Sequence, residues 1–308
     1  MCCLFGLIDY HRSLSTRQKN HILSVLAASC EARGTDATGI AYHSKGRLRI
    51  YKRPVPAHLL PLSLPEDAHV VMGHTRMTTQ GDARKNFNNH PFCGSSDIGP
   101  FALAHNGVIY NDDRLRDPHK LKTPKIETDS FVAVQLLEQK RTLNFSSLRY
   151  MAEQVEGSFT FTVLDAKDNL YIVKGDNPLC LYHYPRLGIY LYASTQEILN
   201  QALARLALPW EPPRQIRINC GEILRLDSSG VITRDKFDDS KLFRHRYSMY
   251  WWPFYPARVT RRKSSNDYLE EIKSVASAFG YDPEEIDKLA SEGFSPEELE
   301  DFLYCGEL

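Results

Sequence analysis

A cysteine follows the initiator methionine, in Met1-Cys2-Cys3-Leu4-Phe5-Gly6. Cysteine is small enough to permit removal of Met1, which leaves a thiol and a free α-amine on one residue. The thiol is a nucleophile, and the amine, with an ordinary pKa of about 7.7–8.0, is a base poised near neutral pH. The same two cysteines also suit the start of a buried strand, because free cysteine packs as a small hydrophobe. Farther along, Gly73-His74-Thr75-Arg76-Met77-Thr78-Thr79-Gln80-Gly81 is polar and bracketed by glycines, as a loop closing over a ligand would be. Arg76 is its only Arg or Lys, and a guanidinium grips a carboxylate bidentately; taken alone it reads equally as a surface arginine. His105-Asn106-Gly107 interrupts an apolar run. Asn-Gly there can aim a side-chain amide and a backbone N–H at one point, forming an oxyanion hole, or can make a type I′ hairpin turn. Asp129 precedes an amphipathic segment, where an acid caps a helix or holds an ammonium group.

These residues need rigid elements to hold them. Leu4 to Ile8 reads as a buried strand that would fix residue 2 at a sheet edge. Ser15-Thr16-Arg17-Gln18 caps a helix running to about Arg33, with Ile22, Val25, Leu26 and Ser29 on one face and Gly34 at its C′ position. Gly39 precedes a strand and permits close backbone packing, Gly46 marks a hairpin, and Leu48 to Lys52 alternates as a strand. Ala68 to Met72 is strand-like. Helices are predicted after Asp129 and over about Ser146 to Glu156. Short strands follow at Phe159–Leu164, Leu170–Val173, Cys180–Tyr184 and Ile189–Tyr192, then a helix near Thr195–Arg205 and two last strands about Ile216–Leu226 and Val231–Arg234. Helices flanking many strands, with few βαβ alternations, predict an α+β fold with sheet stacked on sheet and helices outside.

The bulk composition narrows the class. Over 308 residues, 42% hydrophobic and 25% charged is ordinary globular content. No apolar run is long enough to span a bilayer, and the N-terminus lacks the basic start of a signal peptide. The seven cysteines are scattered without a CxxC pair, which argues for reduced thiols in a cytoplasmic protein and against a disulfide framework or metal site. Net charge is zero but uneven: residues 264–308 hold thirteen Asp or Glu and two Lys, a net −11, so the rest carries +11. No recognition motif accompanies that basic body, so nucleic acid is not the expected partner. Residues 241–263 interleave aromatics with Arg and Lys, and 264–308 read as short acidic helices with repeated Asp-Pro-Glu-Glu and Ser-Pro-Glu-Glu starts. The expected organisation is a body over 1–240, an aromatic-basic linker over 241–263 and an acidic helical tail over 264–308.

Six segments in order, Cys2-Cys3-Leu4-Phe5-Gly6, Arg33-Gly34, Gly73-His74-Thr75-Arg76, Asn89-His90-Pro91, His105-Asn106-Gly107 and Glu127-Thr128-Asp129, resemble the class II glutamine amidotransferase family. The resemblance spans roughly residues 2–235. It implies an N-terminal-nucleophile hydrolase fold, a four-layer αββα sandwich of two mainly antiparallel sheets with a small helical C-terminal appendage here. It also implies hydrolysis of L-glutamine to glutamate and ammonia through a thioester, with no cofactor. Cys2 matches the family nucleophile, with Cys3 where glycine is usual. Asn106 and the Gly107 N–H match the oxyanion hole, Arg76 the carboxylate site, Asp129 the α-ammonium site, and Thr79 and Gln80 further substrate contacts. Met77 and Gln80 depart from the Trp and His of the sugar-phosphate synthase branch. The ammonia acceptor is expected on a separate chain, docking through the C-terminal region. The alternatives are an N-terminal-cysteine amidohydrolase for another amide and a non-catalytic protein retaining the fold.

Overall fold

Alternation along short apolar strands builds two sheets whose inner faces share one core. The structure, a computed structural model, describes residues 2–206, 211–242, 269, 272, 273, 276, 282–294 and 299. The chain divides into two units, 1–249 and 250–308.

In the first unit, one sheet has seven strands: β1 (Cys3–Asp9), β2 (Ala37–Ser44), β3 (Arg47–Arg53), β4 (Val70–Arg76), β9 (Cys180–Tyr184), β10 (Ile189–Ala193) and β11 (Arg214–Ile216). Their order is β11-β9-β10-β1-β4-β2-β3. The other has six: β5 (Phe92–Ser96), β6 (Gly99–Ile109), β7 (Gly157–Leu164), β8 (Leu170–Lys174), β12 (Glu222–Leu226) and β13 (Ile232–Lys236), ordered β13-β12-β8-β7-β6-β5. Every pairing is antiparallel. Helices α1 (Thr16–Ser29) and α5 (Gln196–Leu206) cover the first sheet, whose Cys3, Phe5 and Leu7 join Ile22, Leu26 and Ile198 in one cluster. Helices α3 (Phe131–Lys140) and α4 (Phe145–Gln154) cover the second, with Leu103, Phe161, Val134 and Leu148 in another. A short α2 (Asp112–Arg116) precedes α3. Between the sheets lie Leu4, Ile8, Met72, Ala104, Ile172, Tyr192 and Leu224. The fold is therefore α+β with layers α-β-β-α, as the sequence predicts.

Period two makes the odd residues of β1 face the helices and the even ones face the other sheet. The sequence cues for α1 hold locally: Ser15 caps it and exchanges hydrogen bonds with Gln18 in a capping box. Gly34 has a different role from the expected left-handed C′ residue. A Cβ on it would lie 2.5 Å from the Arg76 backbone carbon, so it is glycine for close approach.

In the second unit, α6 (Pro283–Ser291) starts with Asp282, whose Oδ1 accepts from the Glu284 N–H at 3.0 Å, and with Pro at its first turn. Ile286 packs with Ile272, Ala276 and Leu299, and Lys273 pairs with Asp287 at 2.5 Å. The Ser295-Pro296 start, and the aromatic-basic segment from 243 on, lie outside the described residues.

Candidate functional site

Cys2 precedes β1 at the end where Cys3 pairs with Thr75 of β4. It is half-buried, and its Sγ lies 3.5 Å from the Met77 carbonyl. Arg33, fully buried, donates from Nε to the Cys2 carbonyl at 3.0 Å, which fixes the residue from behind. Burial pushes the Cys2 thiol above its usual range; Arg76 draws it down and Asp129 adds to the rise. The resting group is thus a thiol that needs a base. Cys3 contrasts with it: its side chain turns under α1 toward Cys30, and that contact and Arg33 bring it down to about 7 against the opposing effect of burial.

The Gly73–Arg76 stretch is not the mobile loop the sequence suggests. β4 continues through Arg76, which is buried at 3% exposure, and the loop begins at Met77. Hydrogen-bonded pairing to β1 and β2 on both sides holds this polar run extended. Arg76 Nη1 donates to Asn89 Oδ1 at 2.7 Å and Nη2 to the Gln80 carbonyl at 2.6 Å. Gln80 therefore enters by its backbone, and the Thr79 and Gln80 side chains are exposed. Asp36 ties the loop down by accepting from the Thr78 N–H at 2.7 Å.

Asn106 and Gly107 make neither a strand end nor a hairpin turn. They sit within β6, opposite Thr160 and Phe159 of β7. Gly107 adopts φ +137°, and a Cβ there would stand 1.9 Å from the Ser158 carbonyl oxygen, so only glycine fits. Asn106 is fully buried, with Nδ2 3.5 Å from Ser194 Oγ and no partner for Oδ1. Ser194 Oγ also accepts from the Leu4 N–H at 2.8 Å. This serine joins β1 to Asn106 across the two sheets, and sequence reading missed it. Its only local signal is its place after an apolar strand.

Asp129 does not cap α3; Ser130 holds the N-cap position. The Asp129 carboxylate instead accepts from the Ile109 N–H at 2.6 Å and from Ser130 Oγ at 3.3 Å, reaching across to the end of β6. Burial pushes its pKa up. Around it, His74 and His105 are held neutral by burial, each pushed down to about 3. His74 Nε2 donates to the His105 carbonyl at 3.0 Å and its ring lies 4.2 Å from that of His90.

The structure thus gathers Cys2, Arg76, Asn106 and Asp129 at one end of the inter-sheet layer, with Gly107 beside Asn106. Arg76 and Asp129 both act on the Cys2 thiol electrostatically, yet among the described residues neither has an ion-pair partner. No group of three His, Cys, Asp or Glu among the described residues is arranged to hold a metal ion. No helix among them is long and apolar enough to cross a membrane.

Known proteins resemble this chain in sequence and in fold. Residues 74–201 match the profile of a glutamine amidotransferase domain. Over 190 residues the chain is 33% identical to glutamine–fructose-6-phosphate aminotransferase (isomerizing) of Staphylococcus aureus, covering 59% of this chain and 30% of that protein. Over 243 residues it is 26% identical to 7-cyano-7-deazaguanine synthase of Saccharolobus solfataricus, covering 76% of this chain and 50% of that one. The chain thus spans about a third to half the length of these relatives. Among solved structures, glutamine phosphoribosylpyrophosphate amidotransferase from B. subtilis superposes with a TM-score of 0.60 at 19% identity, over 77% of this chain and 49% of that one, a likeness of fold.

Proposed function

We propose that this chain is a member of the class II glutamine amidotransferase family, a reading that the matching domain profile and relative support, and that it hydrolyses L-glutamine to glutamate and ammonia through a thioester on Cys2. The observation that carries the reading is a buried arginine and a buried aspartate, neither in an ion pair among the described residues, that both act on one thiol. Free glutamine is a zwitterion, so its recognition needs a cation and an anion held apart. Arg76 grips the α-carboxylate; Asn89 and Gln80 occupy two of its five donors and leave the others for substrate. Asp129 takes the α-ammonium, and Thr79 and Gln80 add contacts from the loop.

With Met1 removed, the Cys2 α-amine accepts the thiol proton, directly or through water. The sulfur attacks the side-chain amide carbon, and the negative charge on its oxygen is stabilised by Asn106 Nδ2 and the Gly107 N–H. Such a donor contributes about 3–4 kcal/mol. The ammonium formed at Cys2 returns the proton to the leaving nitrogen, ammonia departs, and water cleaves the thioester to release glutamate and restore the thiol. The raised thiol pKa makes the amine base necessary, since little thiolate exists without it.

Ammonia then passes to an acceptor. The segment shared with the staphylococcal relative is 30% of that protein, so the acceptor half of the reaction for which it is named lies outside what the two chains share. The −11 region over 264–308 suits docking of a protein with a basic face. A glutaminase assay, with the mature N-terminus determined by mass spectrometry, tests the central reading. Turnover by a chain beginning at Cys2 is expected; full activity with Met1 intact, or no glutamine hydrolysis, overturns it.

A further inference from the structure

Lys52 is an unexpected residue beside this site. Near the end of β3, its Nζ donates to the carbonyls of Asn89 and Pro91, the latter at 3.1 Å, and lies 5.1 Å from the Phe92 ring centroid. No carboxylate pairs with it among the described residues. The contact is reciprocal, for Asn86 Nδ2 donates to the Lys52 carbonyl at 3.0 Å. The packing leaves no slack: a Cβ on Gly39 would stand 2.2 Å from the His90 carbonyl oxygen and 2.7 Å from Lys52 Cβ. Burial lowers the amine to about 8, so it still carries its charge at neutral pH.

A half-buried ammonium with no carboxylate partner among the described residues is costly, and on a strand edge it could have pointed fully to water. What it touches supplies the reason. The turn whose carbonyls it holds is the one from which Asn89 Oδ1 accepts the Arg76 Nη1 proton at 2.7 Å. Asn89 Nδ2 is fixed in turn by the Ala83 carbonyl at 2.8 Å. Fixing the Asn89 and Pro91 carbonyls fixes the direction of the Asn89 side chain, and hence the plane of the guanidinium.

We propose that Lys52 is a positioning residue for glutamine binding: it locks the Asn89–Pro91 turn, and through Asn89 Oδ1 it sets the orientation of Arg76. This rests on Arg76 as the carboxylate anchor. A misplacement of about 1 Å in such an anchor costs up to about a hundredfold, so the lock has a measurable effect.

The test uses the full-length chain carrying Lys52→Met, Lys52→Arg or Asn89→Ala. Two readouts are taken: glutamine kinetics, and the side-chain ¹⁵N–¹H resonances of Arg76, assigned with Arg76→Lys. Lys52→Met should raise KM about tenfold or more and change kcat by less than about twofold, the signature of a lost ground-state contact. Lys52→Arg, which keeps the donors, should recover most of the loss. The Arg76 resonance should shift and exchange faster in Lys52→Met and in Asn89→Ala. A folded Lys52→Met with wild-type KM and an unmoved Arg76 resonance overturns the proposal. If Lys52→Met does not fold, an Asn89→Ala chain with wild-type KM and resonance overturns it equally. If the wild-type chain hydrolyses no glutamine, the glutaminase reading fails, and the Arg76 resonance alone decides the link to Lys52.

Discussion

The layer between the two sheets has two ends built on the same pattern and filled with opposite chemistry. At one end Ile8, Val70, Ala102, Leu170 and Leu226 make a dry apolar contact. At the other, the residues of the same parity on β4, β6 and β8 are His74 and Arg76, Asn106 and Lys174, with Thr160 on β7 and Ser194 just after β10, all buried. Backbone direction and burial are alike at both ends; only the side chains differ. The apolar end lowers free energy simply by leaving water. The polar end buries groups that the protein does not fully satisfy, including Asn106 Oδ1 and His74 Nδ1. Unsatisfied buried polar atoms cost stability, and in the proposed site a substrate would complete the bonding of these two.

The sharpest way to separate the ends is to remove the nucleophile. Cys2→Ala should abolish glutamine turnover with an unchanged unfolding curve, whereas Cys3→Ala should keep most activity, because Cys3 faces α1 and not the inter-sheet layer. Steady-state assays and thermal unfolding on the two variants check this; the reverse pattern would assign the chemistry to the other thiol.

The charged anchors come next. Arg76→Lys keeps the charge and loses the fork, and should raise KM for glutamine about tenfold or more. Asp129→Asn should raise KM similarly, and it carries a second, opposite effect on stability. Burial raises the Asp129 pKa, so between the ordinary and the raised value the folded state holds more protons than the unfolded one. Stability from this group therefore falls as pH rises through that window and stays lower above it. Asn at 129 removes that cost while still accepting from the Ile109 N–H. Its melting temperature should accordingly exceed the wild type's at pH 7, with the two converging in acid. A lower melting temperature at pH 7 would show that the carboxylate is held by more than it loses.

At the apolar end, Ile172→Ala should cost about 2–5 kcal/mol of stability by opening a cavity, with kcat and KM unchanged at temperatures where the variant remains folded. Denaturant titration and kinetics measure the two halves of that statement. Ser194→Ala should cost less stability than Ile172→Ala. It leaves the buried Leu4 N–H without its acceptor, for about 1–3 kcal/mol, and it lowers kcat more than it raises KM, because Asn106 loses the contact that holds it. An effect confined to KM would place Ser194 in substrate binding instead.

Much of this molecule is determined by local sequence. The capping box at Ser15 and Gln18, the apolar runs of β1, β7 and β10, and the hairpin glycines are short-range preferences, and each produced the element it implies. The proposed site residues Cys2, Arg76, Asn106, Gly107 and Asp129 stand out in the sequence because their types are chemically specific and their surroundings resemble the family pattern. What surrounds them was not legible. A polar run such as Gly73–Arg76 has no strand propensity of its own, and it is a strand because β1 and β2 pair with both of its edges. Asn-Gly at 106–107 has the strongest local preference for a turn, and that preference loses to eight cross-strand pairs between β6 and β7. Of the partners of the site, Asn89 lies in a segment the sequence singles out, but Ser194 and Lys52 lie far along the chain from Asn106 and Asn89, which they meet only through tertiary packing. Sequence fixes residue type and periodicity, which are properties of neighbours along the chain. Which buried charge lacks a counter-ion, and which carbonyl a lysine can reach, depend on distances across it, and those are set only by tertiary packing.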